Sequence, residues 1–168
     1  MGKDNIIIEV PTLHIKLTPY AQAVFASDVS AALKSIDTST RFSAAKVFLI
    51  CLSIELAMKS ALLDKNIEKH GHEIGNLLDL FKAEVKNNLL TPREEMIIKQ
   101  VESFYYYDKE TKSSKGIVYF EANMKKQFLS GYKDIPDISS LQIVLDKFIK
   151  YLEENKHFID ANLDHRAQ

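Results

Sequence analysis

Residues 20–70 contain neither glycine nor proline. A breaker-free stretch of that length suits helix far better than short strands joined by tight turns. Only 5 Gly and 4 Pro occur in all 168 residues, which disfavours a sandwich or barrel with many turns. Thr18-Pro19 reads as an N-cap followed by proline at the first helical position. Val24, Val29, Leu33 and Ile36 then mark an apolar helical face to about Ile36. Asp37-Thr38-Ser39-Thr40 is a short polar connection, and a second helix is expected from about Thr40 to about Asn66.

A third helix is expected from about Glu73 to Asn87, with Ile74, Leu77, Leu78, Phe81 and Val85 on one face. Thr91-Pro92-Arg93-Glu94 is a capping box that starts a fourth, running through Ile97, Val101 and Phe104 to Tyr105-Tyr106-Tyr107. Asp108 to Gly116 reads as an exposed Lys-rich loop, and residues 117–129 read as strand-like first and helical later. Ser139-Ser140-Leu141-Gln142 is a second capping box, opening a last helix from about Ser140 to about Asn155 with Leu141, Val144, Leu145, Phe148 and Leu152 inward. Ile6 to Val10 and Leu13 to Leu17 have β-type patterns, limited by Pro11 to an edge or short hairpin. The expected architecture is one all-α domain, an antiparallel bundle of about five helices. It spans residues 18–157, with residues 1–17 as an extended arm or hairpin and residues 158–168 as a tail.

The second helix sets the chemistry. At about 100° per residue, Lys46, Ser53, Ser60 and Asp64 share a narrow stripe, expected to face solvent. Nearly every other position is apolar. Glu55 and Lys59 break the pattern on the opposite side, among Phe48, Cys51, Leu52 and Leu62. They stand at i and i+4 with the acid first, the favourable order for an ion pair. Either they form a satisfied structural pair, or they line a polar pocket that takes a ligand. Cys51 on the same wall is expected to be a buried, inert thiol. His14, His157 and His165 stand isolated and receive no role.

Composition narrows the setting. A formal net charge of -1 gives no overall drive toward nucleic acid or anionic lipid. A single cysteine allows no internal disulfide, so a cytoplasmic location is expected. No apolar run approaches the ~20 residues of a membrane span, and the N-terminal MGKDNIIIEV does not read as a signal peptide.

Ser53 to Leu63, a short basic turn, and then His72-Glu73-Ile74-Gly75-Asn76-Leu77-Leu78 together resemble the HEPN family of small helical bundles. Their central helix carries a pattern like E-x-x-x-K-x-x-L-L, and a turn leads to a His-Asp/Glu-Ile/Leu start of the next helix. Glu55, Lys59, Leu62, Leu63, His72, Glu73, Ile74, Leu77 and Leu78 occupy those places, within a matching core from about Thr40 to Phe81. The resemblance implies a helical bundle, often a homodimer. It also implies nucleotide or RNA binding, toxin–antitoxin pairing and nucleotidyltransferase partners. Many members are ribonucleases that use an Arg followed, after four to six residues, by His. Here Arg41, Arg93 and Arg166 are the only arginines, and none precedes a His at that spacing.

Three readings follow. The preferred one is a non-catalytic domain that binds a nucleotide, an RNA or a partner protein through Glu55, Lys59, Lys65, Lys69, His72 and Glu73. The second is a metal-independent ribonuclease using Lys65 or Lys69 with His70 or His72, although lysine lacks the planar fork of arginine. The third is a structural or regulatory homodimer without ligand. Residues 65–72 carry Lys65, Lys69 and His70 beside the start of the third helix, where a phosphate could dock; the plainer reading is a solvated basic turn. The sequence assigns no metal and no cofactor: His70 and His72 lack an identifiable third ligand. The Tyr105-Tyr106-Tyr107 run beside Lys109, Lys112 and Lys115 offers stacking and charge for single-stranded nucleic acid, or simply packs.

Overall fold

The computed structural model describes residues 18–36, 43–108, 113–116 and 138–158. Five helices occur among them: α1 (Pro19–Ser35), α2 (Ser43–Asp64), α3 (Ile74–Glu84), α4 (Pro92–Tyr105) and α5 (Ile138–Glu154). The all-α bundle expected from the sequence is therefore present. The β-type segment expected at residues 1–17, the ambiguous stretch 117–129 and most of the tail lie outside the described residues. No helix among the described residues is long and apolar enough to cross a membrane.

Two helix starts follow the local sequence. The Thr18 hydroxyl accepts from the Ala21 amide at 3.0 Å, with Pro19 at the first helical position. At α4 the capping box closes both ways: the Thr91 amide donates to Glu94 Oε2 at 2.8 Å, and the Glu94 amide donates to Thr91 Oγ1 at 3.4 Å. Glu94 also receives Lys147 of α5 at 2.6 Å. Burial works to raise the Glu94 carboxyl, but bonds from Lys147 and Thr91 outweigh it and hold the group below its ordinary value. The box expected at Ser139 does not form. The helix already includes Ile138, and the Gln142 side chain donates instead from Nε2 to Asp146 Oδ1 at 3.0 Å.

Asp108 to Gly116, expected as a loop, is in part a hairpin. The fourth helix stops at Tyr105, and β1 (Tyr106–Asp108) pairs antiparallel with β2 (Ser113–Gly116), Tyr106 opposite Lys115.

The second helix touches all four others, as its apolar circumference requires. Its polar stripe corrects the sequence reading: Ser53 and Ser60 are fully buried. Ser53 Oγ donates to the Ala26 carbonyl at 2.7 Å, and Ser60 Oγ donates to the Pro19 carbonyl at 2.7 Å. Two turns on along α2 is thus two turns back along α1, so these helices run antiparallel. The buried face of α1 includes Val29 and Leu33 of the expected apolar face, extended by the small residues Ala23, Ala26 and Ser30, while Val24 is only partly buried. Small side chains let the two backbones approach until a serine hydroxyl reaches a main-chain carbonyl, so the serines face a helix rather than water. The remaining core joins α3, α4 and α5 to α2: Phe81 meets Phe148 edge-on at 5.3 Å and Tyr151 at 5.6 Å.

Schellman caps end α2 and α5. The Ile67 amide donates to Leu62 O and the Asn66 amide to Leu63 O, both at 2.9 Å, with Asn66 left-handed at φ 60°. Likewise the His157 amide donates to Leu152 O at 3.0 Å and the Lys156 amide to Glu153 O at 3.2 Å, with Lys156 at φ 62°. Each cap folds its next residue back onto the bundle. His157, isolated in sequence, is thereby buried with Nδ1 3.1 Å from Ser60 Oγ. Ser60 directs its proton to Pro19, so Nδ1–H is the donor in this contact.

Two predictions follow from this packing. Ser53→Leu should cost about 2–3 kcal/mol in urea unfolding, because it overfills the α1–α2 seam; a solvent-facing site would give a change within about 0.5 kcal/mol. Burial holds the His157 imidazole below its ordinary value of 6.5, with Asp64 opposing and Lys65 reinforcing the shift. The neutral ring is thus favoured in the fold. As pH falls below about 6.5 the unfolded chain takes up a proton that the folded chain resists, and stability drops. The Tm should fall between about pH 7.5 and about pH 5.5, and fall less in His157→Gln.

Candidate functional site

Glu55 projects from α2 with only 2% exposure. Three donors from three places converge on its carboxylate. Lys59 Nζ, one turn further along α2, lies 2.6 Å from Oε1. His72 Nδ1, from the turn before α3, lies 3.0 Å from Oε1 and 3.1 Å from Oε2. Tyr105 Oη, at the end of α4, donates to Oε2 at 2.6 Å. The expected pair on the dry side of α2 is therefore present, and it is embedded in a larger network. Lys59 also donates to the Gly71 carbonyl at 2.7 Å, which fastens the turn to the helix.

Each donor lowers the desolvation cost of the buried charge. Tyr105 is 4% exposed and stacks at a tilt on Phe48, ring centroids 5.6 Å apart. Burial first, then the Glu55 charge and the hydrogen bond to it, push its phenol well above the ordinary range, so it stays a donor. Cys51 is fully buried beside the network; burial and then Glu55 raise its thiol far above the ordinary value. It is the inert thiol expected. His72, by contrast, is 62% exposed at its side chain: a buried carboxylate holds an imidazole at the protein surface.

The turn itself is constrained at both ends. The Schellman cap fixes residues 65–67, and Gly71 takes φ 99°, a conformation that side chains with a Cβ avoid. Glu73 is the N-cap residue of α3 without a side-chain capping bond, and its carboxylate curls back over Gly71. Between α1, the end of α2 and this turn lies a cavity of about 70 Å³, open on one side. Gln22, Lys59, Leu63, Ile67, Glu68, Lys69 and His70 line it. His70 Nε2 lies 3.5 Å from Glu68, with both side chains largely exposed.

The structure thus divides the expected site residues. Glu55, Lys59 and His72 share the buried network, and Lys59 with Lys69 and His70 shares the cavity. Lys65 lines neither and acts electrostatically on His157. Glu73 packs on the turn. Among the described residues no group of three or more His, Cys, Asp or Glu could hold a metal ion. Scans of family models, curated proteins and solved structures for relatives of this chain return no match.

Sequence reasoning named Tyr105 only as part of a stacking or packing run, not as a partner of Glu55, and missed Gln22. Tyr105 follows Ile98 and Val101 at i, i+3 and i+7, an apolar row that marks it as inward. Gln22 carried no signal, because α1 shows its polar residues on several faces.

Removing the acid should be worse than removing the base. Glu55→Ala leaves a buried phenol and an enclosed ammonium without their acceptor, and should cost about 3–5 kcal/mol in urea unfolding. Lys59→Met leaves the carboxylate two donors, and should cost about half as much or less. Equal losses would show that the Lys59 bond, not the carboxylate, holds the network.

Proposed function

We propose that this chain is a HEPN-like, non-catalytic bundle that binds a phosphate-bearing ligand, a nucleotide or RNA, at the turn between α2 and α3. One observation carries the reading: a cavity lined by Lys59, Lys69 and His70, with Glu68 the one carboxylate among its lining residues, on a turn already fixed by a Schellman cap, Gly71 and the Glu55 network. Lys69 makes no ion pair among the described residues, so its ammonium can meet an anion without first breaking a bond. The rigid turn lowers the ordering cost of binding. The homodimer and the nucleotidyltransferase or antitoxin partner belong to the same family reading, and sedimentation measures the first of these.

A second reading rests on one specific contact. The buried Glu55 carboxylate accepts from Nδ1 of the exposed His72, the arrangement that orients an imidazole for proton transfer. RNA cleavage by wild type and its loss in His72→Ala would establish a ribonuclease.

The binding reading predicts that nucleoside monophosphates raise the Tm, by an amount equivalent to about 2.7 kcal/mol at a ligand concentration 100 times Kd. Lys69→Ala/His70→Ala should weaken binding at least fivefold and leave the ligand-free Tm unchanged, since both residues are exposed. No Tm shift with any nucleotide at millimolar concentration, and no anisotropy change of a labelled single-stranded RNA, would end it.

A further inference from the structure

One hydroxyl fastens the first residue of α1 and the end of α5 to the same point on α2. Ser60 Oγ donates to the carbonyl of Pro19, where α1 begins, and accepts from Nδ1 of His157, just beyond α5. His157 reaches that point because Lys156 is left-handed at φ 62° and the Schellman cap folds the chain back. Its ring is then only 6% exposed. The contact holding the end of α5 is small: the Ser60 bond and the two cap bonds, from the His157 amide to Leu152 O and from the Lys156 amide to Glu153 O. The aromatic core of Phe81, Phe148 and Tyr151 forms separately from it. An element end held this way opens at lower cost than the whole bundle.

A proton acts on this contact with a definite sign. Nδ1 already carries one, because Ser60 gives its own to Pro19. A second proton therefore lands on Nε2 and places a full charge on a buried ring. The charged and titratable groups around that ring are few. From α2 comes Asp64, which favours the imidazolium, and from the turn beyond it Lys65, which opposes it. From α5 comes the Tyr151 ring, 6.1 Å away between centroids, with Lys86 lying over it. From α1 comes the Pro19 carbonyl, reached through Ser60. Burial prevails over Asp64, so the docked ring resists the proton. An undocked ring meets water and accepts it freely, and acid therefore favours the undocked state. We propose that Ser60 and His157 form a proton-operated latch, which on acidification releases the end of α5 from the α1–α2 seam while the rest of the bundle stays folded.

Amide hydrogen exchange of the full chain, followed by NMR between pH 7.5 and pH 5.5 and corrected for intrinsic chemistry, tests the latch. The amides of Asn155, Lys156 and His157 should be at least about tenfold less protected than those of Leu78 and Phe81 in α3, the mark of local rather than global opening. Their protection should fall about threefold to tenfold on acidification. Tenfold is about the ceiling for one imidazole that titrates near 6.5 when undocked. His157→Gln should abolish that pH dependence. The wild-type ring itself should titrate below 6.5 by its carbon-bound proton signals, a measurement that depends on no variant folding. Four results would overturn the latch: protection at the end of α5 equal to that of α3, protection there that ignores pH, a pH dependence that survives in His157→Gln, or a wild-type ring that titrates at or above 6.5.

Discussion

A single buried carboxylate organises this bundle. Glu55 stands where α2 is walled in by its neighbours, and a charge there is tolerable only with donors on every side. Lys59, His72 and Tyr105 supply them from α2, the α2–α3 turn and the end of α4. The arrangement is therefore a constraint on topology as much as a source of stability. A register in which any of these elements moved would strand a charge or a phenol in the core.

The turn inherits its shape from that constraint. Lys59 serves Glu55 and the Gly71 carbonyl at once, so the electrostatics of the core reach directly into the surface loop. The Schellman cap at the end of α2 turns Ile67 back as a cavity wall. What reaches the surface is a stiff frame with His72, His70 and Lys69 displayed on it. Stiffness of that kind suits recognition, since little order remains to be imposed when a ligand arrives.

On the opposite side of α2 the polar residues work differently. Ser53 and Ser60 are small enough to let α1 approach and polar enough to bond its carbonyls. Ser60 also meets His157, brought in by the cap on α5. One residue thus connects α1, α2 and the end of α5. Serine on a helix wheel is scored with the solvent-facing residues, and that scoring fails wherever a neighbouring backbone supplies the partner.

The sequence alone determined that the chain is helical, where α4 starts, which face of α5 turns inward, and that Glu55 and Lys59 pair away from water. These follow from local rules: missing breakers, a capping box, the helical period and an i, i+4 acid–base pair. Tertiary structure decided the rest. Whether a serine stripe meets water or another helix, whether Tyr105 or a distant group completes the Glu55 shell, and where His157 docks all depend on contacts between residues far apart in the chain. Periodicity states that a side chain turns inward; only packing determines what it meets there.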